Sequence, residues 1–231
     1  MGGSKMFPFI SKTWNPVKGC LYGCVYCWAR SFAEGRLRAW GGRYSDGFKP
    51  ALIEEELDRR FRKNDFVFVA DMGDLFGEWV PDDWIMKVFE CIRRSPEARF
   101  LLLTKNPDRY GRIFGDVPDN CVLGATVESN RDYDHVSKAP LMSSRLEAMK
   151  RLRLQTDKEL FISVEPIMDF DLMKFVRDLE EIKPCMVAVG YDNYGHDLIE
   201  PELEKTEKFI EKLGGFTEAV RKSLREALRG T

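Results

Sequence analysis

The most regular feature of the chain is a series of short, continuous apolar runs. Five of them have the length of a β-strand and cover residues 66–70, 100–103, 121–127, 160–164 and 185–189. A sixth candidate strand covers residues 9–13. Continuous rather than alternating apolarity is typical of strands that are buried on both faces. The runs therefore predict a parallel sheet.

Helical periodicity fills the segments between these runs. Apolar residues recur at intervals of three or four in residues 84–92, 142–152 and 172–179. Pro81-Asp82-Asp83 precedes the first of these stripes and is typical of a helix start. Strand and helix therefore alternate, which predicts an α/β protein made of repeated βα units around a parallel sheet.

The C-terminal part of the chain has a different pattern. From Glu200 it is highly charged, and two apolar stripes lie on either side of Gly214-Gly215. The stripes consist of residues 203, 206, 210 and 213, and then of 216, 220, 224 and 228. They predict two amphipathic helices that pack on the rest of the protein. We therefore predict one domain over residues 1–199 and a helical extension over residues 200–231. The basic residues of the second helix are interpreted as a solvated face: Arg221, Lys222, Arg225 and Arg229.

Polar or glycine-rich residues follow each of the five apolar runs. They include Asp71–Asp74, Thr104–Asn106, Glu128–Asn130, Glu165 and Gly190–Asn193. Reactive groups in α/β barrels gather at the carboxyl ends of the strands, so we expect these residues on one rim. A strand has to leave the sheet through a polar loop in any case. That requirement does not explain why carboxylates and amides recur at the ends of successive strands.

Composition and charge exclude several classes of protein. The 231 residues are 44% hydrophobic, which is enough for one substantial core. A net charge of -2 and a pI of about 5.9 argue against bulk electrostatic binding to nucleic acid, although a local basic patch stays open. No apolar run has the length of a transmembrane helix, and residues 1–5 lack the apolar stretch of a signal peptide. We expect a cytoplasmic protein. A charged fraction of 32% with a single glutamine, Gln155, favours a thermophilic source.

Three of the six cysteines lie close together in a C-x3-C-x2-C pattern, at Cys20, Cys24 and Cys27. A structural zinc or a closed iron–sulfur cluster normally takes four protein ligands, and the nearest histidine in sequence is His135. A cubane held by three cysteines leaves one iron open to another ligand, as a catalytic metal site requires. A zinc site completed by a distant ligand is the alternative. The scattered Cys91, Cys121 and Cys185 are interpreted as core residues.

The cysteine pattern, with Tyr26 between the last two cysteines, resembles the radical S-adenosylmethionine (radical SAM) superfamily. The resemblance implies a partial (βα)6 barrel and a 4Fe–4S cluster held by the three cysteines. It implies that SAM binds the open iron, and that an electron from the cluster cleaves it to a 5′-deoxyadenosyl radical. That radical would abstract hydrogen from a substrate that the sequence does not identify. An electron donor such as ferredoxin or flavodoxin is also implied.

The same resemblance implies which residues bind SAM. The turn Met72-Gly73-Asp74 corresponds to a glycine-rich turn that binds the amino group of SAM, although the family more often has two glycines and a glutamate. Polar residues after the fourth strand would contact the ribose or the carboxylate of SAM: Thr126, Glu128 and Asn130. Either Lys105 or Arg145 would balance the SAM carboxylate. Glu165 would be a SAM contact or a substrate base. Gly190 would flank the adenine.

Further motifs resemble a phage-associated family of small radical-SAM-like proteins over about residues 9 to 192. These are TWNP at 13–16, MGDLF at 72–76, LTKNP at 103–107, GATVE at 124–128 and SVEP at 163–166. The sequence GCVYCWAR at 23–30 is also similar to the spore photoproduct lyase group, which repairs DNA. The chain departs from the phage-associated pattern after Gly190, where a glycine run with a glutamate is expected.

The segment between Cys27 and Pro50 is rich in both arginine and aromatic residues. Its members are Trp28, Arg30, Phe32, Arg36, Arg38, Trp40, Arg43, Tyr44 and Phe48. Arginines beside stacking aromatics can bind a nucleotide or a single strand, and a helix and loop covering the barrel edge would have the same composition. A rival hypothesis therefore remains, in which the chain is a non-catalytic zinc or iron–sulfur module that binds nucleic acid. The number of protein ligands to the metal would distinguish the two.

Overall fold

The computed structural model describes residues 6–228, which contain nine strands and seven α-helices joined by loops and short 3-10 or π-helical turns. The strands are β1 Lys12–Trp14, β2 Val17–Lys18, β3 Ala51–Leu52, β4 Phe66–Val69, β5 Arg99–Thr104, β6 Cys121–Thr126, β7 Leu160–Val164, β8 Met186–Val189 and β9 Glu218–Arg221. The helices are α1 Trp28–Phe32, α2 Arg38–Trp40, α3 Asp82–Arg93, α4 Asp108–Ile113, α5 Met142–Gln155, α6 Leu172–Ile182 and α7 Leu203–Leu213. The expectations on residues 1–5 and Arg229 lie outside the described residues.

Seven of the strands form a parallel sheet in the order β1-β4-β5-β6-β7-β8-β9. The predicted α/β class, a partial barrel of parallel strands, is confirmed. Each of the six predicted strands exists, although the first begins at Lys12 rather than at residue 9. The two remaining strands, β2 and β3, pair with each other in a separate antiparallel ribbon.

The predicted long helices are present and bury their apolar stripes. Helix α3 begins after Pro81, and its first turn carries Asp82 and Asp83, whose negative charges complement the helix dipole. Helices α5, α6 and α7 follow the remaining stripes that have helical periodicity. None of the helices in residues 6–228 has the length and apolarity needed to cross a bilayer.

The second C-terminal amphipathic helix was wrongly predicted. Gly214 ends α7, and residues 218–221 then form β9, which pairs with β8 in parallel register from Met186↔Glu218 to Val189↔Arg221. Residues 222–228 are irregular. The apolar spacing of this segment fits a helix, but backbone hydrogen bonds to the open edge of β8 outweigh that local preference. The predicted boundary between residues 199 and 200 stays a prediction.

The chain forms two compact units, and the first contains residues 6–23, Cys27–Thr104 and Arg109–Leu123. Its core includes an aromatic cluster in which Phe61 contacts Trp14 and Phe100, each with ring centroids 5.2 Å apart. Trp14 and Phe100 lie on β1 and β5, and both are fully buried. Burial of side chains of this size contributes about 1.5–3 kcal/mol each. These contacts therefore hold β1, the strand that precedes the cysteine segment, and β5 in the core of the first unit.

The second unit contains Cys24–Tyr26, Lys105–Asp108 and residues 124–228. Here Phe209 of α7 stacks on Phe175 of α6, with ring centroids 5.0 Å apart, and Phe170 lies 4.8 Å from Phe209. All three rings are fully buried. These contacts hold α7 against α6. The strand that follows α7, β9, is an edge strand of the sheet.

Candidate active site

The start of the cysteine segment and the turn after β4 lie side by side in the first unit. The Gly19 N–H donates to the Met72 carbonyl at 2.8 Å, and Gly19 and Gly73 form a parallel bridge. Gly19 has a φ of +82°, and a Cβ there would lie 2.4 Å from the Lys49 carbonyl carbon. At Gly73 a Cβ would lie 3.0 Å from the Val17 carbonyl oxygen. Gly19 therefore requires glycine, and at Gly73 a side chain would be crowded, because two backbones approach each other here.

Cys20 and Cys27 contact one apolar cluster in this unit. Its buried members are Ala29, Ala33, Tyr44, Phe48 and Met72. Cys27 also caps α1, because its Sγ accepts a hydrogen bond from the Arg30 backbone N–H at 3.4 Å. Met72 therefore packs in the same cluster as two of the three cysteines.

Asp74 is buried and shapes the turn in which it lies. Its Oδ1 accepts hydrogen bonds from the Thr104 hydroxyl at 2.7 Å and from the Phe76 N–H at 3.0 Å. Thr104 ends β5, so the contact joins the exits of β4 and β5. The contact of Asp74 with SAM stays a prediction.

Cys24 and Tyr26 make their contacts in the second unit. The Val25 N–H donates to the Val136 carbonyl at 2.9 Å, and the Cys24 Sγ lies 3.1 Å from the Ser137 Oγ. Both Cys24 and Tyr26 are buried. The segment that ends in Ser137 therefore fixes the middle of the cysteine motif.

Glu128 is the centre of a buried charged network in the second unit. Its side chain is 0% exposed, and it accepts hydrogen bonds from Tyr26 Oη, Lys105 Nζ and, at 2.7 Å, the Arg145 guanidinium. Lys105 Nζ also lies 3.0 Å from Tyr26 Oη. The structure thus brings together the aromatic residue of the cysteine motif and the carboxylate that follows β6. Both carboxylate oxygens of Glu128 are engaged by the protein.

The charges of this network decide its protonation states. Burial alone would raise the pKa of Glu128, but Arg145 and Lys105 outweigh it and hold that pKa at about 2. Burial and the neighbouring Glu128 carboxylate raise the pKa of Tyr26 well above its ordinary value. At neutral pH the carboxylate is ionised and the phenol keeps its proton. Tyr26 is therefore the donor in its hydrogen bond to Glu128.

Two other residues predicted to contact SAM have protein partners near β6. Thr126 ends the strand, and its carbonyl accepts a hydrogen bond from Arg145 at 3.0 Å. Asn130 binds the backbone of Asp171 twice, accepting from its N–H at 2.9 Å and donating to its carbonyl at 3.3 Å. The SAM contacts assigned to these two residues stay predictions.

Glu165 and Gly190 lie together at the ends of β7 and β8. Lys222 forms an ion pair with Glu165, with 2.9 Å between Nζ and Oε1. A Cβ at Gly190 would lie 2.8 Å from the same Oε1 and 3.1 Å from the Lys222 Cβ, so glycine leaves room for the pair. Burial raises the pKa of Glu165, although Lys222 counteracts it. Lys222 and Arg225, predicted to be solvated, are instead paired with Glu165 and Glu200.

Sequence reasoning missed Ser137 and Lys222 as neighbours of the predicted site. Ser137 lies in an irregular segment with no recognisable motif, and Lys222 follows a strand whose sequence fits a helix equally well. Cys185 was also misjudged, because it is exposed just before β8, whereas Cys91 and Cys121 are buried as predicted.

The chemistry of the three cysteines fits an iron–sulfur cluster. Soft thiolates are the ligands of such clusters. The three lie within eight residues of sequence, and two of them pack against a cluster of apolar side chains. Among the residues that the structure describes, no group of three or more His, Cys, Asp or Glu side chains is arranged to hold a metal ion. The assignment of a cluster therefore rests on ligand chemistry and spacing.

The fold and these residues define an α/β protein with a partial barrel and a cysteine motif after its first strand. The chain belongs to the family described as "Protein of unknown function (DUF5131)", which matches residues 5–190. No curated protein matches the chain.

Solved structures share the fold at low sequence identity. A cysteine-to-serine variant of spore photoproduct lyase is 12% identical with a TM-score of 0.62, over 96% of this chain and 78% of that one. Another variant, with bound AdoMet and dinucleoside spore photoproduct, is 12% identical with a TM-score of 0.56, over 88% and 61%. SuiB of Streptococcus suis bound to S-adenosylmethionine is 11% identical with a TM-score of 0.55, over 94% and 51%. The chain thus spans about half to three quarters of the length of these proteins.

Proposed function

We propose that this protein is a radical SAM enzyme. The observation that carries the proposal is the C-x3-C-x2-C motif, which follows the first strand of a fold that radical SAM enzymes share. Cys20, Cys24 and Cys27 would hold a 4Fe–4S cluster. When bound, the cluster supplies the electron that cleaves SAM reductively and yields a 5′-deoxyadenosyl radical. A reductant such as ferredoxin or flavodoxin would deliver that electron. Membership of the phage-associated group stays a prediction.

The residues of this chain bind and orient the ligand in the proposal. The protein groups assigned to SAM are Tyr26, Met72, Gly73, Asp74, Thr126, Glu128, Asn130, Glu165 and Gly190. At Gly73 the backbone of Val17 and Gly19 already occupies the space that a Cβ would need, so this glycine lets the turn lie against the start of the cysteine segment. Because Glu128 is fully buried and both of its carboxylate oxygens are engaged by the protein, it would act on SAM through Tyr26 and Lys105, which it holds in position.

Lys105 is the better candidate for the SAM carboxylate. Arg145 is 2% exposed, and its guanidinium donates to Glu128, Thr126 and Pro140. Lys105 keeps 15% of its side chain exposed next to Tyr26. Replacing Lys105 with methionine should therefore weaken SAM binding. A charged hydrogen bond is worth about 1.5–3 kcal/mol, so the Kd should rise roughly ten- to a hundred-fold, as measured by titrating SAM into the reconstituted protein.

The proposal is tested by anaerobic reconstitution with iron and sulfide, followed by reduction with dithionite in the presence of SAM. The wild-type chain should turn brown, bind about four irons and release 5′-deoxyadenosine. Cys24→Ala should lose both iron and product while keeping its circular dichroism spectrum. The matched control replaces Cys91, Cys121 and Cys185 together with alanine, which should lower stability but not iron content.

Three results would contradict the proposal. A colourless wild-type protein that binds one zinc would favour the rival metal module. A brown protein that reacts with SAM but never yields 5′-deoxyadenosine would exclude this reaction class. Iron retained in full by Cys24→Ala would show that the cysteine motif is not the cluster site.

The surface around Trp40 favours a nucleic acid as the substrate class. Trp40 is 67% exposed, and the Arg36 guanidinium lies 4.7 Å from the centre of its ring. An exposed aromatic ring beside arginines offers a stacking platform for a base, worth about 1–3 kcal/mol per base. A related fold is known with a bound dinucleoside. Binding of a labelled single-stranded oligothymidine should fall about tenfold in Trp40→Ala. Equal binding by wild type and variant would remove this surface from consideration.

A further inference from the structure

A hydroxyl group lies against the sulfur of the central cysteine of the motif. The Ser137 Oγ is 3.1 Å from the Cys24 Sγ, although the two residues are 113 positions apart in sequence. Cys24 is buried, and the neighbouring backbone is fixed by the hydrogen bond from the Val25 N–H to the Val136 carbonyl at 2.9 Å. The contact therefore belongs to an ordered pairing of two segments.

The neighbouring backbone sets the direction of this hydrogen bond. The Ala139 N–H donates to the Ser137 Oγ at 3.1 Å, so this oxygen already accepts one hydrogen bond. Its own proton is then available to the sulfur of Cys24. A thiolate that ligates a metal has no proton and can only accept. With a cluster bound, Ser137 is the donor and Cys24 is the acceptor.

We propose that Ser137 is a positioning residue that acts through Cys24 and makes the cluster easier to reduce. The inference rests on the proposed function, since it concerns the cluster assigned to the three cysteines. Reduction adds one electron to the cluster and no proton, so negative charge on its sulfur ligands increases. A hydrogen bond to such a sulfur becomes stronger on reduction, and such bonds are among the factors that set the potential of iron–sulfur clusters. Ser137 therefore stabilises the reduced form.

The test is a potentiometric titration of the reconstituted cluster without SAM, with dithionite as the electron donor. Electron paramagnetic resonance measures the fraction of reduced cluster at each potential. Ser137→Ala should lower the equilibrium constant for reduction about three- to tenfold, which lowers the midpoint potential by about 30–60 mV, because tenfold corresponds to about 59 mV for one electron. Ser137→Thr should keep the wild-type potential. Ser31→Ala is the matched control, because its hydroxyl donates to the Cys27 carbonyl at 3.3 Å and not to a sulfur.

The outcomes separate this inference from the proposed function. A wild-type protein that takes up no cluster would refute the proposed function. A loaded Ser137→Ala protein with the wild-type potential would overturn the inference alone. If Ser137→Ala does not take up the cluster, Ser137→Thr and Ser137→Val are compared. Threonine and valine side chains have the same shape and differ in the hydroxyl group. Equal potentials in that pair would overturn the inference, and a lower potential in Ser137→Val would support it.

Discussion

Replacing Arg145 with methionine is expected to lower the free energy of unfolding at pH 7 by about 3–5 kcal/mol. Arg145 is 2% exposed and Glu128 is 0% exposed, so the substitution leaves a buried carboxylate with only part of its compensating charge. It also removes the donors to the Pro140 and Thr126 carbonyls, at 2.6 and 3.0 Å. Breaking one partner of a buried ion pair costs this much because the other charge stays out of water.

The pKa of Glu128 shows that its whole set of partners favours the ionised carboxylate in the folded protein. It falls from an ordinary 4.5 to about 2 in the folded protein, where Arg145 and Lys105 outweigh the effect of burial. A tenfold change in proton affinity is about 1.4 kcal/mol, so the ionised carboxylate contributes about 3 kcal/mol. Because the folded pKa is the lower one, this contribution is complete above the ordinary value of the carboxyl and is lost as the pH falls towards 2.

The assay is urea unfolding of the protein without cluster, followed by circular dichroism between pH 7 and pH 2. Wild type should lose stability relative to Arg145→Met as the pH falls below about 4.5, so the gap between the two proteins should narrow. Arg151→Met on the same helix is the matched control. Its ion pair with Asp108, at 2.9 Å, is exposed, so the cost should be below about 1 kcal/mol.

Equal losses in Arg145→Met and Arg151→Met would refute the reasoning. So would a gap between wild type and Arg145→Met that stays constant down to pH 2, because the cost would then be independent of the charge on Glu128. The double variant Glu128→Gln/Arg145→Met removes both charges. It should lose less than the sum of the two single variants, since neither the buried carboxylate nor the buried guanidinium is left without its partner.

Two further substitutions test how the chain holds its predicted site. Gly19→Ala should destabilise the protein by at least about 1–3 kcal/mol, because its φ of +82° is strained for alanine and a Cβ would overlap the Lys49 backbone. Gly35→Ala, where a Cβ has open space, should be neutral or stabilising in the same urea assay. Lys222→Met should lower the free energy of unfolding by more at pH 8 than at pH 5. Its loss raises the pKa of the buried Glu165 further, and a raised carboxyl pKa means stability that is lost as the pH rises through it. A loss of equal size at both pH values would contradict this.

Local pattern predicted much of the fold. The apolar runs became β4 to β8 with boundaries that shifted by one residue at most, because a strand buried on both faces needs apolar side chains at successive positions. The apolar stripe that marks α6 is similarly a local property. The pattern was misleading at residues 216–228, where one spacing suits either a helix or a strand. There, backbone pairing with the open edge of β8 made residues 218–221 form β9.

The sequence by itself determined the α/β class, the order of the strands along the chain and the spacing of Cys20, Cys24 and Cys27. These follow from the periodicity and composition of neighbouring residues. Only the tertiary structure decided which distant groups meet: Tyr26, Glu128 and Arg145 in one buried network, and Ser137 at the sulfur of Cys24. The physical reason is that an ion pair or a hydrogen bond acts over a few ångströms in space, whereas its partners here are separated by up to 113 positions, over which local sequence patterns carry no information.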